Sequence, residues 1–228
     1  MENNSEHCVK YNRTFHTLWS KGIGSDDKYA TDLSIIEDEE VYISEKMDGE
    51  CTTMYPYYGK YGIHARSIDS KKYWYHEWCR ALQISLVEKI HGYRLCGENL
   101  NAIHSIEYKN LVSYFYLFSI WNQETNICLS LDEMLEFNKD LGLAMPKILY
   151  RGKWDAALFE KMFNEMDTET MEGYVIRVTR SFHYDDFSKC VVKAVRENHV
   201  QTDEHWRKNA KEAKLSDPKN VLPISMRG

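Results

Sequence analysis

The stretch Val41-Tyr42-Ile43-Ser44-Glu45-Lys46-Met47-Asp48-Gly49-Glu50-Cys51 decides how this chain is read. Its opening residues are β-branched or aromatic, so Val41 to Lys46 reads as a strand that ends on a lysine. Asp48-Gly49 then turns the chain, a common hairpin signal. The lysine has two readings, a solvated charge at a hairpin or a nucleophile. An amine attacks phosphorus only when unprotonated, so its pKa must fall, through neighbouring cations, burial or metal-bound phosphates. Taken alone, the pentapeptide from Glu45 to Gly49 does not choose.

Further along lie three segments of similar character. Gly97-Glu98-Asn99 directly follows the apolar run Tyr93 to Cys96. Glycine before a carboxylate at a strand end lets a ligand approach the backbone, although a turn with a solvated glutamate has the same sequence. Glu172-Gly173 opens the β-branched run through Arg177, where the carboxylate is of the type that holds Mg²⁺ against phosphates. Val191-Val192-Lys193 ends an apolar strand on a lysine, which is also a known edge-strand device.

Around these segments the periodicity predicts strands over Cys51 to Tyr58, Tyr61 to Arg66, Val112 to Trp121, Glu172 to Thr179 and Lys189 to Val195. Turns are expected at Asp48-Gly49 and Gly59, and an ordered loop region over Tyr11 to Lys28. Helical spacing appears in Tyr73 to His91, in Leu131 to Leu141 with Ser130 as N-cap and Gly142 as stop, and in Trp154 to Met166. Asp203 to Leu215 reads as a charged helix, its basic residues either salt-bridged in solvent or forming a small lid that faces a ligand. Strands and helices alternate without a βαβ beat, so the fold class is α+β with largely antiparallel sheets flanked by helices.

The chain of 228 residues fits one domain, 1–228, with a short charged helical tail from about 200. Its formal charge of -6 argues against a protein that grips long nucleic acid passively, so any such contact needs a local patch. Six irregularly spaced cysteines without a C-x-x-C pair point away from a disulfide framework or a zinc site and towards a reducing compartment. No signal-peptide pattern and no membrane-length apolar run is visible, so a soluble cytoplasmic protein is expected. Nine histidines are scattered without a metal-binding pattern, and His64 is the one near a candidate segment.

The order of the segments carries more than any one of them. K-x-D-G, an arginine, G-E, an aromatic strand, E-G-hydrophobic and hydrophobic-lysine together resemble the covalent nucleotidyltransferases, which include polynucleotide ligases and mRNA capping enzymes. Within them the chain is most similar to ATP-dependent RNA ligases of the phage T4 RNA ligase 2 type. The likeness runs position by position from Lys46 to Lys193.

That resemblance implies roles. Lys46 would form the phosphoamide bond to AMP, with Asp48 and Gly49 completing its motif and Glu45 helping to recognise adenine. Arg66 would lie near phosphate and ribose, Glu98 at the ribose and Phe118 stacked on adenine. Glu172 would be the acid tied to the metal, and Lys193 would contact the α-phosphate and share in catalysis. The cofactors implied are ATP and Mg²⁺ or Mn²⁺, and the partners are nicked or broken RNA ends, with an end-healing kinase-phosphatase as a candidate and no membrane. The physics agrees, since a polyphosphate needs fixed cations, and Arg66 and Lys193 would also depress the pKa of Lys46.

The chain departs from the family pattern at its last motif. A second lysine is often found two residues after the first, but here Val195 stands there and Arg196, next in line, would point to the other face of a regular strand. The stretch after Lys193 is also too short for the OB-fold barrel that many such enzymes append. The expected function is therefore joining of 5′-phosphate and 3′-hydroxyl RNA ends, with DNA ligase, capping-type transferase and non-catalytic binder of nucleotide or RNA ends as alternatives.

Overall fold

The computed structural model describes residues 8–24, 27–57, 62–197 and 210–217. The expected turn at Gly59, part of the loop before Lys28, and residues 203–209 of the expected tail helix lie outside the described residues.

β2 (Glu40–Lys46) carries the opening stretch, and β3 (Glu50–Met54) follows it after three residues. The two do not form a hairpin. β2 sits in a five-stranded sheet, between β9 (Gly173–Val178) and β8 (Ile148–Lys153), which continues through β11 (Val191–Val195) to β1 (Phe15–His16). β3 sits in a six-stranded sheet, between β4 (Ile63–Ala65) and β5 (Tyr93–Asn99), which continues through β6 (Phe115–Asn122) and β7 (Ile127–Cys128) to β10 (Phe182–His183). Lys46-Met47-Asp48-Gly49 is thus the crossover from one sheet to the other. Lys46 pairs with Gly173 in the first sheet, and Glu50 with Asn99 in the second. Every strand pairing is antiparallel except that of β1 with β11.

α1 (Ser34–Asp38), α2 (Glu77–Leu86), α3 (Leu131–Leu141), α4 (Ala156–Glu165) and α5 (Phe187–Cys190) complete the α+β architecture. α3 begins and ends where the caps place it. Ser130 accepts from the Glu133 amide, the Glu133 carboxylate returns to Ser130, and Gly142 takes the left-handed conformation at φ 64°. The helix expected from Tyr73 is shorter, a 3₁₀ turn over Trp74–His76 followed by α2. Residues Phe187–Cys190 form a helical turn, so the strand expected from Lys189 begins at Val191.

One apolar cluster joins Val41, Ile43, Tyr174 and Ile176 with Phe159 and Phe163 of α4, and reaches Cys96 and Trp121 of the second sheet. Another packs Cys79, Leu82 and Leu86 of α2 against Leu95, Phe115, Leu117 and Ile120. A third corrects the tail. Residues 210–217 are extended rather than helical, with bridges from Glu212 to Ala102 and from Leu215 to Leu111. Ala213 packs there against Met47 and Leu100, its amide donates to Asn101 O at 2.9 Å, and Tyr114 Oη donates to Ala213 O at 2.9 Å. Local charge pattern favoured a helix, but the apolar seat under Met47 and the unpaired backbone of the 101–111 loop draw this segment into extended pairing.

Candidate active site

Between the sheets lies a cavity of about 390 Å³, within the range of small-ligand pockets. The end of β2 and the crossover supply Ser44, Glu45, Lys46, Asp48 and Gly49 to its wall. β3 supplies Glu50 and Cys51, β5 supplies Glu98 and β6 supplies Phe118. Glu172 precedes β9, which gives Val175 and Arg177, while Lys193 comes from β11 and Arg66 follows β4. All nine residues singled out in the sequence therefore meet in one wall.

Local backbone explains two of these placements. The β5–β6 register slips between Cys96 and Gly97, so that Cys96 faces Ser119 and Gly97 faces Leu117, leaving Phe118 without a partner. A bulge of this kind re-aims a side chain. Leu117 and Ile120 both join the cluster beneath α2, whereas Phe118 turns to the cavity. At the crossover, a Cβ on Gly49 would lie 2.5 Å from Asn99 O, so only glycine lets this backbone approach β5 so closely.

Lys46 Nζ donates to Glu172 Oε2 at 2.5 Å, the side chains being 23% and 4% exposed. Burial works to lower the Lys46 pKa, but Glu172, Glu98 and Asp48 outweigh it and push the amine above its ordinary value. This corrects the expectation that Arg66 and Lys193 depress it: three carboxylates stand closer in effect than the two cations. Without ligands, Lys46 is an ammonium. Burial also raises Glu172, against the pull of Lys46. Glu98 is pushed up to about 8, by burial first and then by Glu172 and Asp48, with Lys46 opposing. Its Oε1 accepts from the Gly49 amide at 3.2 Å.

Asp48 has a different task from its neighbours. One of its oxygens accepts from Ser105 N, Ser105 Oγ and Ile106 N, each at 2.7 Å, and so ties the 101–108 loop to the crossover. The Asp48 amide donates to Tyr108 Oη at 2.8 Å. Lys193 lies 3.7 Å from Asp27, and burial and then the charge of Lys46 lower its pKa while Asp27 opposes them. Glu45 is raised by burial, with Lys147 opposing. The Phe118 ring stands with Arg177 Cζ 5.3 Å from its centroid and with Tyr11 edge-on at 5.3 Å, a stiff backing for a planar group.

Sequence reading missed several residues of this wall. Arg177 was quoted within its segment without a role, although a charged side chain inside a β-branched strand was the signal. Tyr11, Asn12, Arg13, Thr14, His104 and Ser105 come from loops and carried no pattern. His64 lies elsewhere, hydrogen-bonded to Tyr55 Oη and to Ala65 O. Lys189 sits on the surface 4.0 Å from Asp32. Arg196 lies just past β11, where its Nη2 donates to Ser105 Oγ at 3.1 Å, so it braces the loop held by Asp48. All six cysteines are free. Among the described residues no group of three or more metal-ligating side chains gathers, and no helix is long and apolar enough to cross a membrane.

The family model described as RNA ligase matches residues 39–195, which takes in every strand that lines the cavity. No curated protein matches significantly. Among solved structures, Naegleria gruberi RNA ligase with PPi superposes with a TM-score of 0.54 at 18% identity, covering 88% of this chain and 61% of that one. A K326A mutant of the same ligase with ATP and Mn gives a TM-score of 0.55 at 18% identity, covering 83% and 60%. A putative ATP-dependent DNA ligase from Aquifex aeolicus gives 0.56 at 15% identity, covering 83% and 50%. At these identities the likeness is one of fold, and this chain spans between half and three-fifths of the lengths of those proteins.

Proposed function

The chain belongs to the RNA ligase family, and from that premise we propose that it seals RNA ends with ATP through an adenylate carried on Lys46. Nζ bonds to the α-phosphorus, the bond from that phosphorus to its bridging oxygen breaks, and pyrophosphate leaves with the electron pair. AMP then passes to a 5′-phosphate, and a 3′-hydroxyl displaces it to leave a phosphodiester. The observation that carries this reading is the convergence of Lys46, Arg66, Glu98, Phe118, Glu172 and Lys193 on one cavity from six separate stretches of chain.

Each residue has work that its surroundings suit. Phe118, backed by Arg177, offers a face to adenine, with Glu45 at the base's edge. Glu98 meets the ribose, and a carboxyl with a pKa of about 8 is able to donate as well as accept there. Arg66 and Lys193 balance the charge of the phosphates. Glu172 Oε2 is the acceptor nearest to the ammonium proton of Lys46, which must leave before the amine attacks.

Glu172, buried and with Oε2 at 2.5 Å from Lys46 Nζ, supplies a hard oxygen donor that fits a divalent cation such as Mg²⁺ or Mn²⁺. Sites for Mg²⁺ usually take one or two carboxylates and complete the shell with substrate phosphates and water, so no larger protein cluster is required. When bound, such a cation would supply charge neutralisation of the phosphates and weaken the carboxylate field that keeps Lys46 protonated.

RNA repair in the cytoplasm, after an end-healing kinase-phosphatase has prepared the ends, is the role inferred for this activity. The fold likeness to a putative DNA ligase keeps a DNA-joining reading testable. The experiment is intact mass after incubation with ATP and a divalent cation, then with GTP, followed by nicked RNA duplex, single-stranded RNA and nicked DNA. An AMP increment that disappears in Lys46→Ala, and joining of RNA, are expected. An adduct that survives Lys46→Ala, an adduct with GTP alone, or joining of DNA alone would each overturn the proposal.

A further inference from the structure

A second cavity, of about 360 Å³, lies beside the first and shares no lining residue with it. Thr52, next to Cys51 on β3, and Ala65, which precedes Arg66, stand in its wall. Because successive residues of a strand face opposite ways, the two cavities flank the same strand pair, β3 and β4. Much of the rest of the wall comes from the connection between β4 and α2, with Ile68, Lys71 and Lys72, and from α2 itself, with Arg80.

Charge separates this wall from the rest of the molecule. In a chain of formal charge -6 it gathers Lys71, Lys72 and Arg80, and Asp69 is the one acid among its described residues. His76 already pairs with Glu50, and Arg80 lies 3.9 Å from Glu77. Lys71 and Lys72 are exposed and have no ion-pair partner among the described residues. The connection is nevertheless ordered, since the Ala65 amide donates to Ser70 Oγ at 3.0 Å and the Ser70 amide to Ser67 O at 3.3 Å.

Two large apolar side chains stand out on the same connection. Trp74 is 46% exposed and Ile68 47% exposed, both within a few residues of the lysine pair. Trp74 meets the Tyr75 ring at a steep angle, with centroids 5.6 Å apart, and still leaves nearly half of its surface open to solvent. Cations beside an exposed aromatic face are the combination that binds single-stranded nucleic acid, one neutralising phosphates and the other stacking a base.

We propose that this second cavity and Trp74 form a surface for the RNA strand whose end reaches Lys46, with Lys71 and Lys72 on backbone phosphates and Trp74 under a base. The inference rests on reading the first cavity as an RNA-sealing site. It also answers how an acidic chain holds an anionic polymer: a local group of cations stands on a connection that borders the nucleotide cavity.

The test is the affinity of wild type, Lys71→Ala/Lys72→Ala, Trp74→Ala and Trp74→Phe for a fluorescent single-stranded RNA with a 5′-phosphate, measured by anisotropy across a salt series. Self-labelling with ATP, in which these side chains take no part, is measured alongside as the control for folding. Loss of two phosphate contacts should flatten the log–log salt dependence by about 1.4, at roughly 0.7 per contact on a single strand. Trp74→Ala should weaken binding by about tenfold, with Trp74→Phe close to wild type. Variants that label with ATP and keep both wild-type affinity and wild-type salt slope would overturn the inference. A wild type that binds RNA without labelling, while the lysine variant loses slope, would sink the covalent reading and leave this surface standing. A wild type that does neither would remove both.

Discussion

Replacing Lys46 by methionine should destabilise the protein by an amount that grows with pH. The substitution keeps the length of the side chain and removes the cation shared by Glu172, Glu98 and Asp48. Glu172 is the most exposed to the loss, because its side chain is 4% accessible and its partner Nζ lies at 2.5 Å. Stripping one member from a buried pair costs about 3–5 kcal/mol when the remaining charge stays ionised. The sign of the pH dependence follows from the carboxyls. Glu98 has a folded-state pKa of about 8 against 4.5 for the free group, and Glu172 is also raised; Lys46 pulls both down. Without Lys46 both rise further. A group whose folded-state pKa is raised contributes stability that is whole below its unfolded value and is lost as pH climbs through the folded value. Near pH 5 the variant therefore holds protons on these carboxyls and stands close to wild type, while the penalty opens as pH climbs past about 8 and is complete only above the further-raised values. Lys46 itself titrates above this window, being pushed up by its neighbours, and adds no slope to wild type within it. At about 2–4 °C per kcal/mol for a domain of this size, the Tm deficit should grow towards a limit of roughly 6–20 °C, with part of it present at pH 8.5 and little at pH 5. Thermal melts followed by circular dichroism, without nucleotide or metal, read it directly. A deficit that is equal at the two pH values, or larger at pH 5, would refute the electrostatic account.

Phe118→Ala should lower the apparent affinity for ATP in self-labelling by about 5- to 100-fold, from the loss of a stacking face, with Phe118→Tyr retaining most of it. Asp48→Ala removes the acceptor of Ser105 N and Ile106 N; a cost of about 3 kcal/mol is expected, and amide exchange at those two residues should accelerate. Gly49→Ala places a Cβ 2.5 Å from Asn99 O and 2.7 Å from Leu100 Cδ2, so the crossover must withdraw from β5, with about 1–3 kcal/mol lost and slower labelling. Glu172→Gln should bind ATP about 5- to 30-fold more tightly than wild type in chelator, because a buried negative charge is gone and Lys46 is released towards the phosphates, and this order should reverse with a divalent cation present; calorimetric titration distinguishes the two.

Much of this molecule was legible before any coordinates. α3 was fixed at both ends by Ser130, Glu133 and Gly142, because caps are chemistry local to a few residues. The cavity residues were legible for another reason: each segment alone also read as a turn or an edge strand, and only their order along the chain resembles a family whose site they would form. What stayed hidden depends on distant parts of the chain. Asp48-Gly49 has the sequence of a hairpin, and only the destination of β3 in the other sheet makes it a crossover. The tail's charge pattern is that of a solvated helix, yet Ala213 finds a seat beside Met47 and Leu100. The bulge that turns Phe118 inward is a mismatch in register between two strands, and neither strand's composition announces it. The pKa of Lys46 was misjudged because its cationic neighbours were counted and its carboxylates were given to ligands in advance.

That misjudgement bears on how the site works. A cavity built only to attract polyphosphate would be uniformly basic, but this one sets Glu172, Glu98 and Asp48 around one lysine and keeps Lys193 within 3.7 Å of Asp27. Its resting electrostatics favour neither partner alone: the carboxylates oppose a bare nucleotide, and Lys46, Lys193 and Arg66 oppose a bare cation. Nucleotide and divalent cation arriving together would cancel both objections, since Glu172 would hold the cation and the cation would neutralise phosphate charge. The same substitution frees Lys46 from the field that holds its proton. On the proposed mechanism the amine would become a nucleophile only when there is a phosphorus to attack; in the ligand-free state it is an ammonium bound to Glu172.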